Sequence, residues 1–162
     1  MYRAGILTVS DRGARGERED LSGKVIAEML AGVSIEVAAY DIVPDEEDRI
    51  AAKILEFVDV RNLDLVITTG GTGVSPRDVT PEATRRVMDR EIAGMAEAMR
   101  QESARKTPHA MLSRAVAAIR RQSLIINLPG SPKGARENLQ AILPALEHAL
   151  EKIKGSERDC AS

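Results

Sequence analysis

The chain has 162 residues, 43% of them hydrophobic and 30% charged, with a formal net charge of -2. That length supports one domain burying roughly two thirds of its unfolded surface, while the lack of a basic excess and an aromatic content of 2% argue against nucleic acid as a partner. A single cysteine, Cys160, allows no intrachain disulfide. No apolar run approaches the ~20 residues that span a bilayer or makes a secretory signal, so a cytoplasmic location with no membrane partner is expected.

Ile6-Leu7-Thr8-Val9 is a compact β-type run ending at Ser10-Asp11-Arg12. Residues 13–20 are glycine, arginine and glutamate without an apolar anchor, which fits either a loop that closes over a ligand or a plain surface loop. A helix is predicted from about Ser22, with Val25, Ile26, Met29 and Leu30 on one face and Gly32 at its stop. Residues 35–43 read as a second strand closed by Pro44-Asp45. Ile50, Ile54 and Val58 then recur every four residues, the spacing of a second amphipathic helix.

Leu65-Val66-Ile67-Thr68 is a third strand, and it runs into Thr69-Gly70-Gly71-Thr72-Gly73. Residues 81–106 read as largely helical, with an interruption near residues 91–94. The short apolar runs 116–119 and 124–126 are either a hairpin or independent strands. The second of them ends at Asn127-Leu128-Pro129-Gly130-Ser131-Pro132-Lys133-Gly134, after which helical spacing resumes through Leu139, Ile142, Leu146, Leu150 and Ile153. Pro144 predicts a kink there or two abutting helices. Strands alternating with helices predict parallel pairing in a layered α/β fold. One domain is expected over residues 1–154, with a flexible tail over residues 155–162.

The glycine run carries the chemistry. Its spacing matches neither the dinucleotide fingerprint nor the lysine-ended phosphate loop, yet three glycines in four residues at a strand end exceed what one turn requires. Strand, glycine turn and the helix start Thr80-Pro81-Glu82 place backbone N–H groups where they can face an anion. Thr80 and Pro81 read as cap and first helical residue. Asp78 is then free for other work, with Arg77 or Arg12 as a candidate partner. A carboxylate beside a phosphate site implies a bridging cation, and Mg²⁺ suits those oxygens. For Asp45, spacing alone favours a helix N-cap. The turn Pro129-Gly130-Ser131, with Lys133, offers a second anion-facing edge.

Thr8-Val9-Ser10-Asp11-Arg12, Pro44-Asp45, the glycine run with Arg77-Asp78-Val79-Thr80-Pro81-Glu82-Ala83, Leu112-Ser113-Arg114 and the 127–134 turn, taken as an ordered set, resemble the molybdopterin adenylyltransferase family over about residues 4–153. The resemblance implies a three-layer sandwich with a mainly parallel sheet, the molybdenum-cofactor-biosynthesis fold, assembled as a homotrimer. It implies transfer of AMP from Mg-ATP to molybdopterin with release of pyrophosphate, and the molybdenum-insertion protein of the pathway as a partner. Asp45 and Asp78 correspond to the family's catalytic acids and would hold Mg²⁺. Ser10, Asp11, Gly70, Gly71, Thr72, Gly73, Ser113, Pro129, Gly130 and Ser131 map to the pterin and nucleotide site. The chain departs from the family in lacking a proline within Ile92-Ala93-Gly94 and in carrying Ala118 where glycine is common. The rival readings are a non-catalytic molybdopterin carrier and a nucleotide-binding regulatory domain.

Overall fold

The structure, a computed structural model, describes residues 1–157, so Cys160 and most of the expected tail lie outside the described residues. The strands are β1 (Tyr2–Val9), β2 (Ile35–Val43), β3 (Leu65–Thr69), β4 (Arg90–Glu91), β5 (Ala117–Arg120) and β6 (Ser123–Leu128). They form one six-stranded sheet in the order β2-β1-β3-β6-β5-β4. The first four strands in that order pair in parallel, whereas β5 and β4 are antiparallel. The two runs left open by the sequence are therefore a hairpin, β5–β6, turning through Arg121 at φ 51.

The helices are α1 (Asp11–Ala14), α2 (Leu21–Ala31), α3 (Glu47–Leu55), α4 (Thr80–Val87), α5 (Ala93–Ala104) and α6 (Pro132–Ile153); a π-helical turn, Glu56–Val60, extends α3. They cover both faces of the sheet. Ile6, Leu65, Ile67, Leu124 and Ile126 face α2, α5 and α6, packing on Ile26, Leu30, Met99, Leu139 and Leu146. The alternate residues Leu7, Val66 and Ile125 face α3 and α4, packing on Ile50, Ile54, Phe57 and Ala83. The side-chain period of 2 along each strand divides the core into two sheets of contact, as a three-layer sandwich requires.

Helix α6 runs through Pro144 as one element, not as two. Proline removes one donor, but Pro144 and Gln140, whose carbonyl loses that donor, are both exposed, so water can replace it. The first half of the 13–20 segment folds partly into α1, and its far end is tied down by polar bonds rather than apolar packing. Among the described residues, no helix is long and apolar enough to cross a membrane.

Candidate active site

The parallel register makes the site. Thr8 pairs with Thr69 and Thr69 with Leu128, so β1, β3 and β6 end level with one another. Three loops therefore leave the same edge of the sheet side by side, at Ser10, Gly70 and Pro129, where ligands bind in open α/β sheets.

Gly70 stands at φ +101, and a Cβ there would strike the carbonyl oxygen of Val9. Gly71 stands at φ +66, and a Cβ there would meet the Thr80 hydroxyl and an Asp45 oxygen. Both positions demand glycine for conformation and for space. The Gly70 N–H donates to the Leu128 carbonyl at 3.0 Å, and the Thr69 hydroxyl donates to the Pro129 carbonyl at 2.7 Å, fastening the two turns together. Thr80 is not a helix cap. Its hydroxyl donates to the Gly70 carbonyl at 2.9 Å and its N–H to the Gly71 carbonyl at 3.1 Å, while Val79 occupies the cap position of α4. The loop's own carbonyls outcompete the helix end for the Thr80 side chain.

Asp45 is not a cap either; Glu46 holds that position without a side-chain bond. Asp45 and Asp11 instead exchange hydrogen bonds, each carboxylate accepting the other's backbone N–H at 2.9 Å. Arg77 closes on Asp11 through two bonds of 2.8 and 3.1 Å, so neither it nor Arg12 pairs with Asp78. Asp78 accepts the Ser75 N–H at 3.0 Å, a bond within its own loop that leaves Arg77 turned the other way. The Arg77 bonds hold the Asp11 carboxyl below the usual carboxylate range. Burial raises the pKa of Asp45, and the negative charges of Asp11 and Asp78 push it further upward.

A cleft of about 420 Å³ opens at this edge, lined by Ser10, Asp45, Gly70, Gly71, Asp78, Gly130 and Ser131 among others. Ser131 caps α6, accepting the Gly134 N–H at 3.0 Å, so the positive end of a 22-residue helix faces the cleft. Thr72, Gly73, Ser113 and Pro129 line a second cleft of about 300 Å³ between the glycine loop, α5 and α6, and Ser131 is common to both. Asp11 lines neither, and acts on the site through Asp45 and Arg77. The structure thus distributes the expected site residues other than Asp11 between two adjoining hollows, not one.

The 13–20 segment, open in sequence between a ligand-facing and a plain surface loop, supplies part of a wall whose residues the sequence did not single out. Thr8, Arg18, Glu19, Asp20 and Ser22 line the larger cleft. Asp20 accepts hydrogen bonds from the Thr8 hydroxyl at 2.5 Å, the Gly23 N–H at 2.9 Å, the Ser22 hydroxyl at 3.2 Å and the Tyr40 hydroxyl. Burial pulls the Asp20 pKa upward, but these donors more than offset it and the net shift is down. Asp20-Leu21-Ser22-Gly23 at a helix start was a readable cap signal; the Thr8 and Tyr40 bonds come from other strands and were not.

The family described as "probable molybdopterin binding domain" matches residues 5–148. The chain is 46% identical to the molybdopterin adenylyltransferase of Helicobacter pylori J99, over 94% of this chain and 88% of that protein. It is 42% identical to the molybdopterin adenylyltransferase of Escherichia coli K12, over 88% of this chain and 74% of that protein. Among solved structures, the molybdopterin biosynthesis enzyme MoaB of Thermus thermophilus superposes with a TM-score of 0.92 at 57% identity, covering 96% of this chain and 98% of that one. Fold, motif order and these likenesses agree: the chain belongs to the molybdopterin-binding domain family of molybdenum-cofactor biosynthesis.

Proposed function

We propose that the protein is a molybdopterin adenylyltransferase, moving AMP from Mg-ATP to molybdopterin and releasing pyrophosphate. The observation that carries this reading is the approach of two carboxylates, Asp45 and Asp78, to one glycine loop: an Asp45 oxygen lies 3.2 Å from where a Gly71 Cβ would stand, and an Asp78 oxygen 2.9 Å from that of Gly73. The relatives named for this activity, at 42–46% identity, support the same conclusion.

The chain's residues bind, orient and place charge; phosphoryl chemistry asks little covalent work of a protein. Gly70 commits its N–H to Leu128, so the loop amides left to hold an anion are those of residues 71–73. The α6 N-terminus at Ser131 offers a second anion seat across the cleft. The larger, more polar cleft suits the polyphosphate, and the smaller one, with Ala110, Leu112 and Pro129 in its wall, suits a flat ring. In this reading Ser10 and Gly130 border the phosphate path, and Ser113 and Thr72 the ring.

Asp45 and Asp78 fit a hard cation. Arg77 gives its hydrogen bonds to Asp11, and Asp45 carries the raised pKa of a half-buried carboxylate beside two others. Among the described residues, no three carboxylate, histidine or cysteine side chains are arranged to hold a metal ion on their own, which fits Mg²⁺ arriving with ATP and completing its shell from phosphate oxygens and water. Bound there, it would offset charge on the phosphates and the leaving pyrophosphate. A homotrimer, a cytoplasmic setting where ATP is available, and onward transfer to a molybdenum-insertion protein belong to the same reading, carried by the family resemblance.

The test is incubation of purified protein with molybdopterin and Mg-ATP. Adenylylated molybdopterin and pyrophosphate are expected in equal amounts, and the rate of forming both should fall sharply in Asp78→Asn. Pterin retention with no ATP consumed would make the protein a carrier instead.

A further inference from the structure

The loop joining Gly71 to α4 carries Asp78 yet has little structure of its own: the Asp78 N–H donates to the Ser75 carbonyl at 2.9 Å, and the Ser75 N–H returns a bond to the Asp78 carboxylate. Such a loop does not by itself hold a carboxylate to the tolerance that transfer chemistry needs. What holds it comes from far along the chain. Arg114 Nε donates to the Gly73 carbonyl at 2.7 Å, Nη2 donates to the Asp78 carbonyl at 2.7 Å, and Nη1 bonds and pairs with Glu82. The Arg114 N–H adds a bond to the Thr72 carbonyl at 2.8 Å.

One guanidinium thus grips the loop at its start, at Asp78 and at the first turn of α4. The grip is itself anchored. Arg100 Nη1 donates to the carbonyls on either side, Ser113 at 3.4 Å and Ala115 at 3.0 Å, and the Val116 N–H donates to the buried Asn127 side chain at 3.1 Å. The other Glu82 oxygen is buried without a hydrogen-bond partner, so Arg114 is the cation that answers this carboxylate.

We infer that Arg114 is a positioning residue for adenylyl transfer, setting the place of the Asp78 carboxylate through the 73–78 loop without touching substrate. Only the planar fork of arginine can reach three acceptors at once; lysine keeps the charge and loses the geometry. The inference rests on the adenylyltransferase reading for its kinetic arm alone.

The experiment compares wild type, Arg114→Ala, Arg114→Lys, Asp78→Asn and the Arg114→Ala/Asp78→Asn double variant. With saturating Mg-ATP, Arg114→Ala should lower kcat about 100-fold, with KM for molybdopterin changing less than about threefold. Arg114→Lys should recover little of the loss. On the Asp78→Asn background the same change should add almost nothing, because both act through one carboxylate. Hydrogen exchange needs no substrate: the Ser75 and Asp78 amides should exchange faster in Arg114→Ala while those of Val66 and Ile67 keep their wild-type rates. Wild-type kcat in Arg114→Ala or Arg114→Lys, additive losses in the double variant, or unchanged loop exchange would each overturn the inference. If wild type makes no adenylylated pterin, the functional reading fails and the exchange arm still decides the role of Arg114. Should Arg114→Ala not fold, Glu82→Ala, which frees one arm of the fork, carries the same measurements.

Discussion

The two ends of the sheet carry hollows of similar size, about 420 Å³ where β1, β3 and β6 finish and about 380 Å³ where β3 and β6 begin; Asp45 and Asp78 are among the acids of the first, and Asp64 is the acid of the second. At the starting end every charge is answered. Asp64 accepts the Arg3 N–H at 2.7 Å and pairs with Lys154, and the Ser123 hydroxyl donates to the Leu63 carbonyl at 2.6 Å. At the finishing end Asp11, Asp45 and Asp78 gather with one ion-paired cation among them, Arg77. Volume does not separate the two. Charge compensation does: paired acids make structure, and clustered acids held short of cations make a place for a cationic or metal-bridged ligand.

The sharpest break of that contrast is the same substitution at each end. Asp78→Asn should lower adenylyl transfer by a factor on the order of 100–1000 with little change in Tm. Asp64→Asn should leave turnover at the wild-type value and cost about 1–3 kcal/mol of stability, read as a Tm loss by calorimetry. Equal kinetic effects at both ends would dissolve the distinction.

A smaller effect concerns the backbone. Gly70→Ala sets a side chain against the Val9 carbonyl at φ +101 and should cost roughly 2–3 kcal/mol, a fall of about 5–10 °C in Tm. Gly94→Ala, in the first turn of α5 with nothing within 4 Å, should be neutral or slightly stabilising. Thermal melts of the two variants side by side make the check.

The smallest effect has the most telling sign. The folded state raises the Asp45 pKa above its ordinary 3.8, through burial first and then through Asp11 and Asp78. A carboxyl raised in this way favours the fold while protonated, and that contribution is lost as pH rises from the ordinary value through the folded one. Asp45→Asn, neutral throughout and still able to accept the Asp11 N–H, should therefore melt higher than wild type at pH 7 and match it below pH 3.8. Mg-ATP should reverse the order by stabilising wild type more. A lower Tm for Asp45→Asn at pH 7 without ligand would contradict the account.

Much of the fold was legible because it follows local periods. Residues 35–43 were read as a strand and are β2, and the spacing of Ile50, Ile54 and Val58 marked α3 with its π-helical extension. The misreadings share a cause. Spacing alone favours Asp45 and Thr80 as caps because each stands just before or at a helix start, where a cap is the local default. Both side chains found better partners, Asp11 at a separation of 34 residues and Gly70 at a separation of 10. Arg77, with Arg12 one of two candidate partners for Asp78, reaches Asp11 instead, 66 residues away.

By itself the sequence determined the layered α/β class and the glycine turns, and it pointed to the residue types of the candidate site, since hydrophobic period, left-handed backbone and turn chemistry are properties of short segments. Tertiary structure alone decided that three strand ends lie level, that the candidate site is two adjoining hollows, that Asp20 lines one of them, and that Arg114 grips the loop carrying Asp78. Those facts depend on register between strands and on hydrogen bonds across 12 to 41 residues. Such bonds leave no periodic trace in the chain, because the directions of a few donors and acceptors, brought together only by folding, select them.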